Sequence, residues 1–322
     1  MRLNKNSISG LSLDAAGLVA LADLSTIKQR TALTGSASYW DLLFLAPGIH
    51  TQQEAGNVNE GELPACGAMT TGYVFRVENQ ATVSYLQRIG RPGCLATVEV
   101  EERPMNSPFS IFSVGGYVPS LLYLIGISLT LVSLAILGAI HDFWAVGVLL
   151  MLLTSRAINT IVIKRRTQLG WKGMPEPGVK GDLMILLSQD RWVRMRGWVD
   201  DLKAVTSGQW LRDQTTMENF ASAFATLLVY VSAALAPNAS TIGSLFIGVL
   251  LLVSVALLGV CNSMTEDLQM FGRRVHVTVQ PKQYKRRLDM AEEIIKEVGT
   301  KHWAIAMGII KAPESAQPKV IL

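Results

Sequence analysis

Cysteine and histidine are scarce in this chain, and neither is arranged for chemistry. Cys66, Cys94 and Cys261 have no metal or redox spacing, and Cys261 falls at the end of an apolar run. A disulfide framework is not expected. The four histidines, His50, His141, His276 and His302, are scattered, with no two at metal-ligand spacing. Catalytic signatures are missing as well. There is no HExxH, no GxSxG, no Walker sequence ending in GKS or GKT, and no GxGxxG after a strand. Gly178-Val179-Lys180-Gly181 lacks the spacing of a phosphate loop. The chain reads as a non-enzyme, with no metal or cofactor implied.

Charge is also missing, from four long stretches. Tyr117–Ile140, Phe143–Ile163, Phe220–Ala236 and Thr241–Cys261 contain no acidic residue and no histidine, and their single formal charge is Arg156. A bilayer core about 30 Å thick takes about 17–25 apolar residues of helix. Each run reaches that length, the third only just, because Pro237 stops it. Lipid offers no water to an open backbone, so the runs must be helices. The mean hydropathy of +0.31 agrees. The fold class read from this is an α-helical integral membrane protein, four transmembrane helices in two hairpins. Small cytoplasmic α/β elements and N-terminal β-rich elements accompany them.

What charge there is lies unevenly. Residues 164–219 carry ten Lys or Arg, 262–322 carry ten and 1–116 carry eight, which with Arg156 make up the 29. The connectors His141–Asp142 and Pro237–Ser240 carry none. The positive-inside rule then puts both termini and the middle loop in the cytoplasm. Met1–Asn6 resembles the start of a signal peptide, but Asp14 and Asp23 interrupt the apolar stretch after it, so no cleaved signal is expected. Asn238-Ala239-Ser240 matches a glycosylation sequon, in a connector too short to reach far from the bilayer.

These boundaries divide the chain into an N-terminal cytoplasmic region (1–116, β-rich from 71), helices one and two (117–163), a cytoplasmic loop (164–219), helices three and four (220–261) and an α/β tail (262–322). Leu11–Leu24 has helical spacing, Gly35–Asn59 reads as loop, and Tyr73–Glu78, Ala81–Leu86 and Leu95–Glu101 read as strands. Gly90–Gly93 suits a turn between two of them, and Pro104–Gly116 a linker. In the loop, Leu183–Ser188 and Arg191–Arg196 form a hairpin about Gln189-Asp190, followed by a helix at Val199–Val205. In the tail, Arg274–Val279 is a strand ended by Pro281, Tyr284–Val298 a helix stopped by Gly299, and His302–Ile310 a second strand. The hairpin and tail are expected to pair, Leu183–Met195 against Val275–Val279.

One position carries a functional hypothesis. A charge inside a membrane helix costs about 2.5–3.5 kcal/mol on insertion scales, so it is normally paired or in a polar cavity. Arg156 lies in a polar stripe with Ser155, Asn159 and Thr160, and Glu218 is a conceivable partner. Two readings stand: an anion or substrate site between helices, or an arginine that snorkels to the cytoplasmic interface, the simpler account. The clusters Lys164-Arg165-Arg166, Arg273-Arg274 and Lys285-Arg286-Arg287 are juxtamembrane, which fits lipid headgroups better than nucleic acid. Trp192, Trp198 and Trp210 suit an interfacial surface or core packing equally.

The segment Gly181-Asp182-Leu183 to Leu211-Arg212, with Gln189-Asp190-Arg191-Trp192-Val193-Arg194 and Asp200-Asp201-Leu202-Lys203-Ala204-Val205-Thr206-Ser207-Gly208-Gln209-Trp210-Leu211, resembles uncharacterised multi-pass membrane proteins of filamentous fungi. The likeness runs from the first membrane helix to about Trp303 and leaves out the first 70 residues. It implies the same topology and no activity. The expected role is a membrane scaffold that engages the lipid bilayer and a protein partner through its loop and tail. The alternative is a transporter or channel subunit working as a homo-oligomer around Arg156.

Overall fold

The computed structural model describes residues 16–103 and 116–311. The readings of Met1–Asn6 and, Gly116 apart, of the linker Pro104–Gly116 therefore lie outside the described residues. In chain order the described elements are a 3-10 turn at Ala16–Leu21, α1 (Thr26–Leu33), 3-10 turns at Tyr39–Leu43 and Ile49–Asn57, β1 (Ala65–Ala68), β2 (Val74–Arg76), α2 (Gln80–Ile89) and β3 (Cys94–Glu102). Then come α3 (Tyr117–Ala139), α4 (Phe143–Arg166), β4 (Lys180–Leu187), β5 (Arg191–Trp198), α5 (Val199–Thr206), α6 (Thr216–Leu235) and α7 (Thr241–Met264). Last are β6 (Leu268–Met270), β7 (Arg273–Gln283), α8 (Arg287–Val298) and α9 (His302–Ala306). They fall into a helical unit, drawn from residues up to 58, 116–168 and 211–267, and a sheet unit drawn from 59–103, 169–210 and 268–311.

In the helical unit α3, α4, α6 and α7 are each long and apolar enough to cross a membrane. Polar caps set the starts of three of them. Asp142 accepts from the Ala145 N–H, Ser240 accepts from the Gly243 N–H, and Thr215 with Glu218 forms a capping box. The buried Asp142 carboxylate also accepts from the Ser240 N–H at 2.9 Å and hydroxyl at 2.5 Å, tying the two short connectors together. The hairpins are as expected in connectivity, but packing crosses them: α4 lies along α6 and α3 along α7. Where α4 meets α6, the Ser155 hydroxyl donates to the Ala225 carbonyl at 2.7 Å. Small Ala225, fully buried, permits that approach.

The N-terminal segment departs most from expectation. It is not a region ahead of the helices; residues 17–58 pack among them. A side chain at Gly17 would lie 2.6 Å from the Ala233 carbonyl and the Ala236 methyl, at the connector end of α6. The Thr26 carbonyl accepts from Asn262 at 2.8 Å, and Arg30 donates to Thr265 at 3.2 Å, both at the opposite end of α7. Residues 17–26 thus run along the helices from one end to the other. The chain then turns back inward, where Phe44 stacks on Tyr123 with centroids 5.0 Å apart and fills the space left by Gly126. Gly48 has φ +92°, and a side chain there would collide with the Leu24 carbonyl; only glycine suits both demands. The Gly, Ser, Thr, Asn and Gln content of Gly35–Asn59 suggested a loop. Its apolar residues Phe44, Leu45, Ala46 and Ile49 are instead buried in the helical core.

The sheet unit merges pieces that the sequence pattern kept apart. Seven strands lie in the order β2-β1-β4-β5-β3-β7-β6. Among the described strands, β3 pairs with β5 in parallel and the other neighbours pair antiparallel. The β4–β5 hairpin turns at Gln189 and Asp190, both with positive φ, as expected. It does not pair with the tail directly, because β3 from the N-terminal half inserts between β5 and β7. Ala81–Leu86 is helix, not strand: Asn79 caps α2 by accepting from the Thr82 N–H, and Ala81, Val83, Tyr85 and Leu86 are buried. Gly90–Gly93 therefore joins a helix to a strand. β7 continues past Pro281, because the register against β3 shifts between Thr97 and Leu95 and accommodates the missing N–H. The expected strand at His302–Ile310 is the short helix α9, which buries Trp303 with Met69, Met184 and Trp192. α8 starts at Arg287, later than Tyr284, and ends at Gly299 as expected. Trp192 and Trp210 are core residues, whereas Trp198 is exposed, with Lys180 over its ring at 5.5 Å.

One charged network crosses this sheet face. Arg194 grips both Asp182 oxygens, at 3.0 and 2.9 Å, and reaches Glu297 on α8 at 2.7 Å; Arg196 meets the other Glu297 oxygen at 2.7 Å. The hydrogen bond from Arg194 holds the Glu297 carboxyl below its ordinary value of 4.5, against the opposing effect of burial. A carboxyl depressed in the folded state adds stability above its unfolded value, and that contribution is lost as pH falls through the folded one. Melting followed by circular dichroism should therefore show an acid limb below about pH 4.5 that flattens in Glu297→Gln. An identical limb in the variant would exclude this pair as its cause.

Candidate functional site

The polar stripe of α4 meets the inserted N-terminal segment. Arg156 is buried, and its Nε donates to the Asp41 carbonyl at 3.0 Å. Asn159 donates to the Ile49 carbonyl at 3.1 Å, and its side-chain and backbone oxygens each accept from Gln53 at 3.0 Å. Thr226, on α6, donates to the His50 carbonyl at 3.3 Å. The helices therefore supply hydrogen bonds to the backbone of a segment built of 3-10 turns; the Asp41 carbonyl accepts from the Phe44 N–H of its own turn as well, at 3.1 Å. Irregular backbone at membrane depth is tolerated only where protein or a wet cavity covers it.

This arrangement changes the standing of each expected residue. Ser155, Arg156, Asn159 and Thr160 are all buried, but they serve different partners: Ala225 for Ser155, Asp41 for Arg156, and Ile49 with Gln53 for Asn159. Thr160 has no partner for its hydroxyl. Arg156 does not snorkel. It stands about 15 Å along α4 from Arg166, at about 1.5 Å per residue, and turns inward. Glu218 is not its partner. That carboxylate takes two bonds from Arg212, at 2.8 and 2.7 Å, as well as the Thr215 N–H of its own capping box.

Asp41 is the buried polar residue of this cluster that sequence reasoning missed. One of its oxygens accepts from the Tyr123 hydroxyl and the other from the Ser38 N–H, the latter at 2.7 Å. Arg30 lies over the Tyr123 ring at 5.4 Å. Ser38 to Asp41 has capping-box spacing, with Ser38 accepting from the Trp40 N–H, and the apolar Phe44-Leu45-Ala46 follows it. That pairing was the available signal of an ordered turn. Nearer the α4 terminus, Arg166 donates to Gln53 Oε1 at 3.1 Å and to the Arg212 carbonyl at 2.9 Å. Lys164 lies 3.6 Å from the Tyr39 ring centre. Two of the three residues in this basic cluster thus have protein partners.

Several buried polar atoms of the helical unit have no hydrogen-bond partner: Arg156 Nη1, Thr160 Oγ1, both amide atoms of Gln52, and His50 Nδ1. Burial lowers the His50 pKa, favouring its neutral form, against the opposing charges of Asp23 and Glu54.

In the sheet unit, β3 and β7 bring Glu99, Glu101 and His276 together with one ligand atom each within 4.8 Å of one another. This group spans two strands, so local spacing could not reveal it. Both carboxylates are exposed, and Glu101 faces Arg274 across the strand pair. The three are within reach of a divalent cation, yet a basic neighbour and solvent already offer the carboxylates company.

No family model matches the chain, and no curated protein or solved structure matches it.

Replacing Arg156 tests what the stripe does. Arg156→Leu removes one of the two donors to the Asp41 carbonyl, which keeps the Phe44 N–H at 3.1 Å, and a hydrogen bond to a charged group is worth about 1.5–3 kcal/mol. The expected result is a lower melting temperature with faster proteolysis within residues 34–58. Arg156→Leu that melts and digests like the parent would exclude the anchoring role.

Proposed function

We propose that this chain is a multi-pass integral membrane protein serving as a non-enzymatic scaffold. Its helical unit lies in the bilayer, and its sheet unit is the water-facing surface that engages a protein partner. The observation that carries this reading is the use to which the polar stripe is put. Arg156, Asn159 and Thr226 donate to the backbone of an inserted segment, so the helices close on protein rather than on an open lumen. The sheet unit, assembled from three separate stretches of chain, supplies a large ordered surface whose sequence carries no catalytic signature. The resemblance to fungal multi-pass proteins is consistent with the bilayer placement.

The charge bias supports a cytoplasmic sheet unit. Gly17 packs against Ala233 and Ala236, beside the connector between α6 and α7.

A second reading, an oligomeric transporter or channel subunit, is favoured by one observation: the partnerless buried atoms of Arg156, Thr160 and Gln52. Transport would need those groups to meet a solute.

Accessibility decides the topology. In sealed vesicles, a cysteine at His141, labelled by an impermeant thiol reagent, should react from one side. A cysteine at Arg196 should react from the other side. Labelling of both from one side would overturn the proposed arrangement. Gentle extraction followed by native mass measurement then separates the roles: a stoichiometric different protein supports the scaffold, whereas a homo-oligomer alone favours transport.

A further inference from the structure

We infer that the loop following α4 is an interfacial anchor, which seats Trp171 and Met174 in the headgroup layer of a bilayer bearing anionic lipid. Trp171 is 82% exposed and Met174 83%, and Leu169, close by in sequence, is 41% exposed. Single apolar side chains on a surface need no explanation, but several large ones within six residues mark a place that something covers.

The backbone of this loop is fixed, so the exposure is built into its conformation. Lys203 on α5 donates to the Met174 carbonyl at 2.7 Å and to the Glu176 carboxylate, and Asp200 accepts from the Glu176 N–H at 3.0 Å. The Val199 N–H donates to the Val179 carbonyl at 2.9 Å. Gly173 and Gly178, with φ of +82° and +77°, make the bends that these bonds require. The polar backbone is thus turned to α5, and the two large apolar side chains are left outside.

Chain connectivity and charge say what covers them. Trp171 follows Arg166, the last residue of α4, by five positions, so at most about 18 Å of extended chain separates it from the end of a helix able to cross a membrane. Tryptophan suits the zone just beyond such an end, where its ring meets acyl chains and its N–H meets headgroups. Residues 164–180 carry five Lys or Arg and a single acidic residue, Glu176, which Lys203 neutralises. Among the described residues, Arg165 and Lys172 have no carboxylate partner. Apolar tips flanked by unpaired cations match acyl chains beneath negative headgroups. A protein partner would have to reproduce that pairing of acidic rim and apolar floor, which the bilayer already offers within reach of the chain. This inference rests on the helical unit lying in a bilayer.

The test uses the full-length protein with Cys94→Ser, which leaves only the buried thiols of Cys66 and Cys261. One exposed cysteine is added, Met174→Cys or, as a control on α8, Glu292→Cys, and is labelled with the fluorophore NBD. The samples are placed in nanodiscs of anionic phospholipid, part of it carrying a nitroxide near its headgroup. NBD at 174 should emit at shorter wavelength than NBD at 292 and be quenched several-fold more strongly, and Trp171→Ser should weaken that quenching. Quenching at 174 no greater than at 292 would overturn the inference and leave the loop to a protein partner. Undiminished quenching in Trp171→Ser would also overturn it, because the label itself would then be seeking the lipid. Met174 and Trp171 are both exposed, so neither substitution removes core packing. Vesicle labelling at His141 and Arg196 does not involve this loop. Labelling from opposite sides without quenching at 174 rejects the anchor alone, whereas labelling from one side rejects the bilayer placement on which it rests.

Discussion

The helical unit depends on the hydrogen bonds that helix side chains give to backbone that is not α-helical. Four apolar helices can associate by van der Waals packing alone. Between residues 34 and 58, however, the helical turns are 3-10 and not α, and carbonyls there take further donors from the long helices. Arg156, Asn159 and Thr226 provide them at Asp41, Ile49 and His50. A charged side chain in mid-helix costs about 2.5–3.5 kcal/mol on insertion scales, and a hydrogen bond to a charged group is worth about 1.5–3 kcal/mol. Arg156 adds such a bond to the Asp41 carbonyl beside the one from the Phe44 N–H, and the comparable magnitudes explain why a charge can be kept there. They also explain why it is an arginine: the guanidinium offers several donors from one side chain and stays charged when buried.

This constraint orders the rest of the unit. Because the inserted segment occupies space among the helices, partners within a hairpin cannot be the closest neighbours, and packing shifts to α4 with α6 and α3 with α7. Gly126 gives up its side chain so that Phe44 can enter, and Asp142 holds the two connectors at the far end. The same reasoning separates scaffold from transporter. Polar groups consumed by protein backbone cannot also line a path, so only the atoms left over, chiefly Arg156 Nη1 and Thr160 Oγ1, bear on solute binding.

How much of this was legible depends on the range of each interaction. The four helices were plain, since length and apolarity are local properties of a run. The stripe Ser155, Arg156, Asn159 and Thr160 was plain for the same reason, a spacing along one helix face. The β4–β5 hairpin and α5 announced themselves by alternation and by acidic residues at a helix start. Asp41 was hidden because its partners, Arg156 and Tyr123, lie 115 and 82 residues away. Glu218 looked available to Arg156, but Arg212, six residues back, reaches it first.

In the sheet unit, the misreadings share a cause. Ala81–Leu86 has the β-branched and aromatic content of a strand, but Asn79 supplies a cap and burial favours one face of a helix. Pro281 looked like a stop, yet a shift in register makes its missing N–H harmless. The insertion of β3 between β5 and β7 is the largest of these surprises, and no local pattern encodes it. β3 alternates like a strand with one buried face, and that alternation is blind to which neighbours it takes. Its partners come from the loop and the tail, on either side of the last two long helices. The sheet can therefore close only after all four long helices have been made, so a chain truncated before β7 would leave the full length of β3 as an open edge. Open edges invite pairing with other chains, which makes completion of the sheet unit a late and binding condition on this fold.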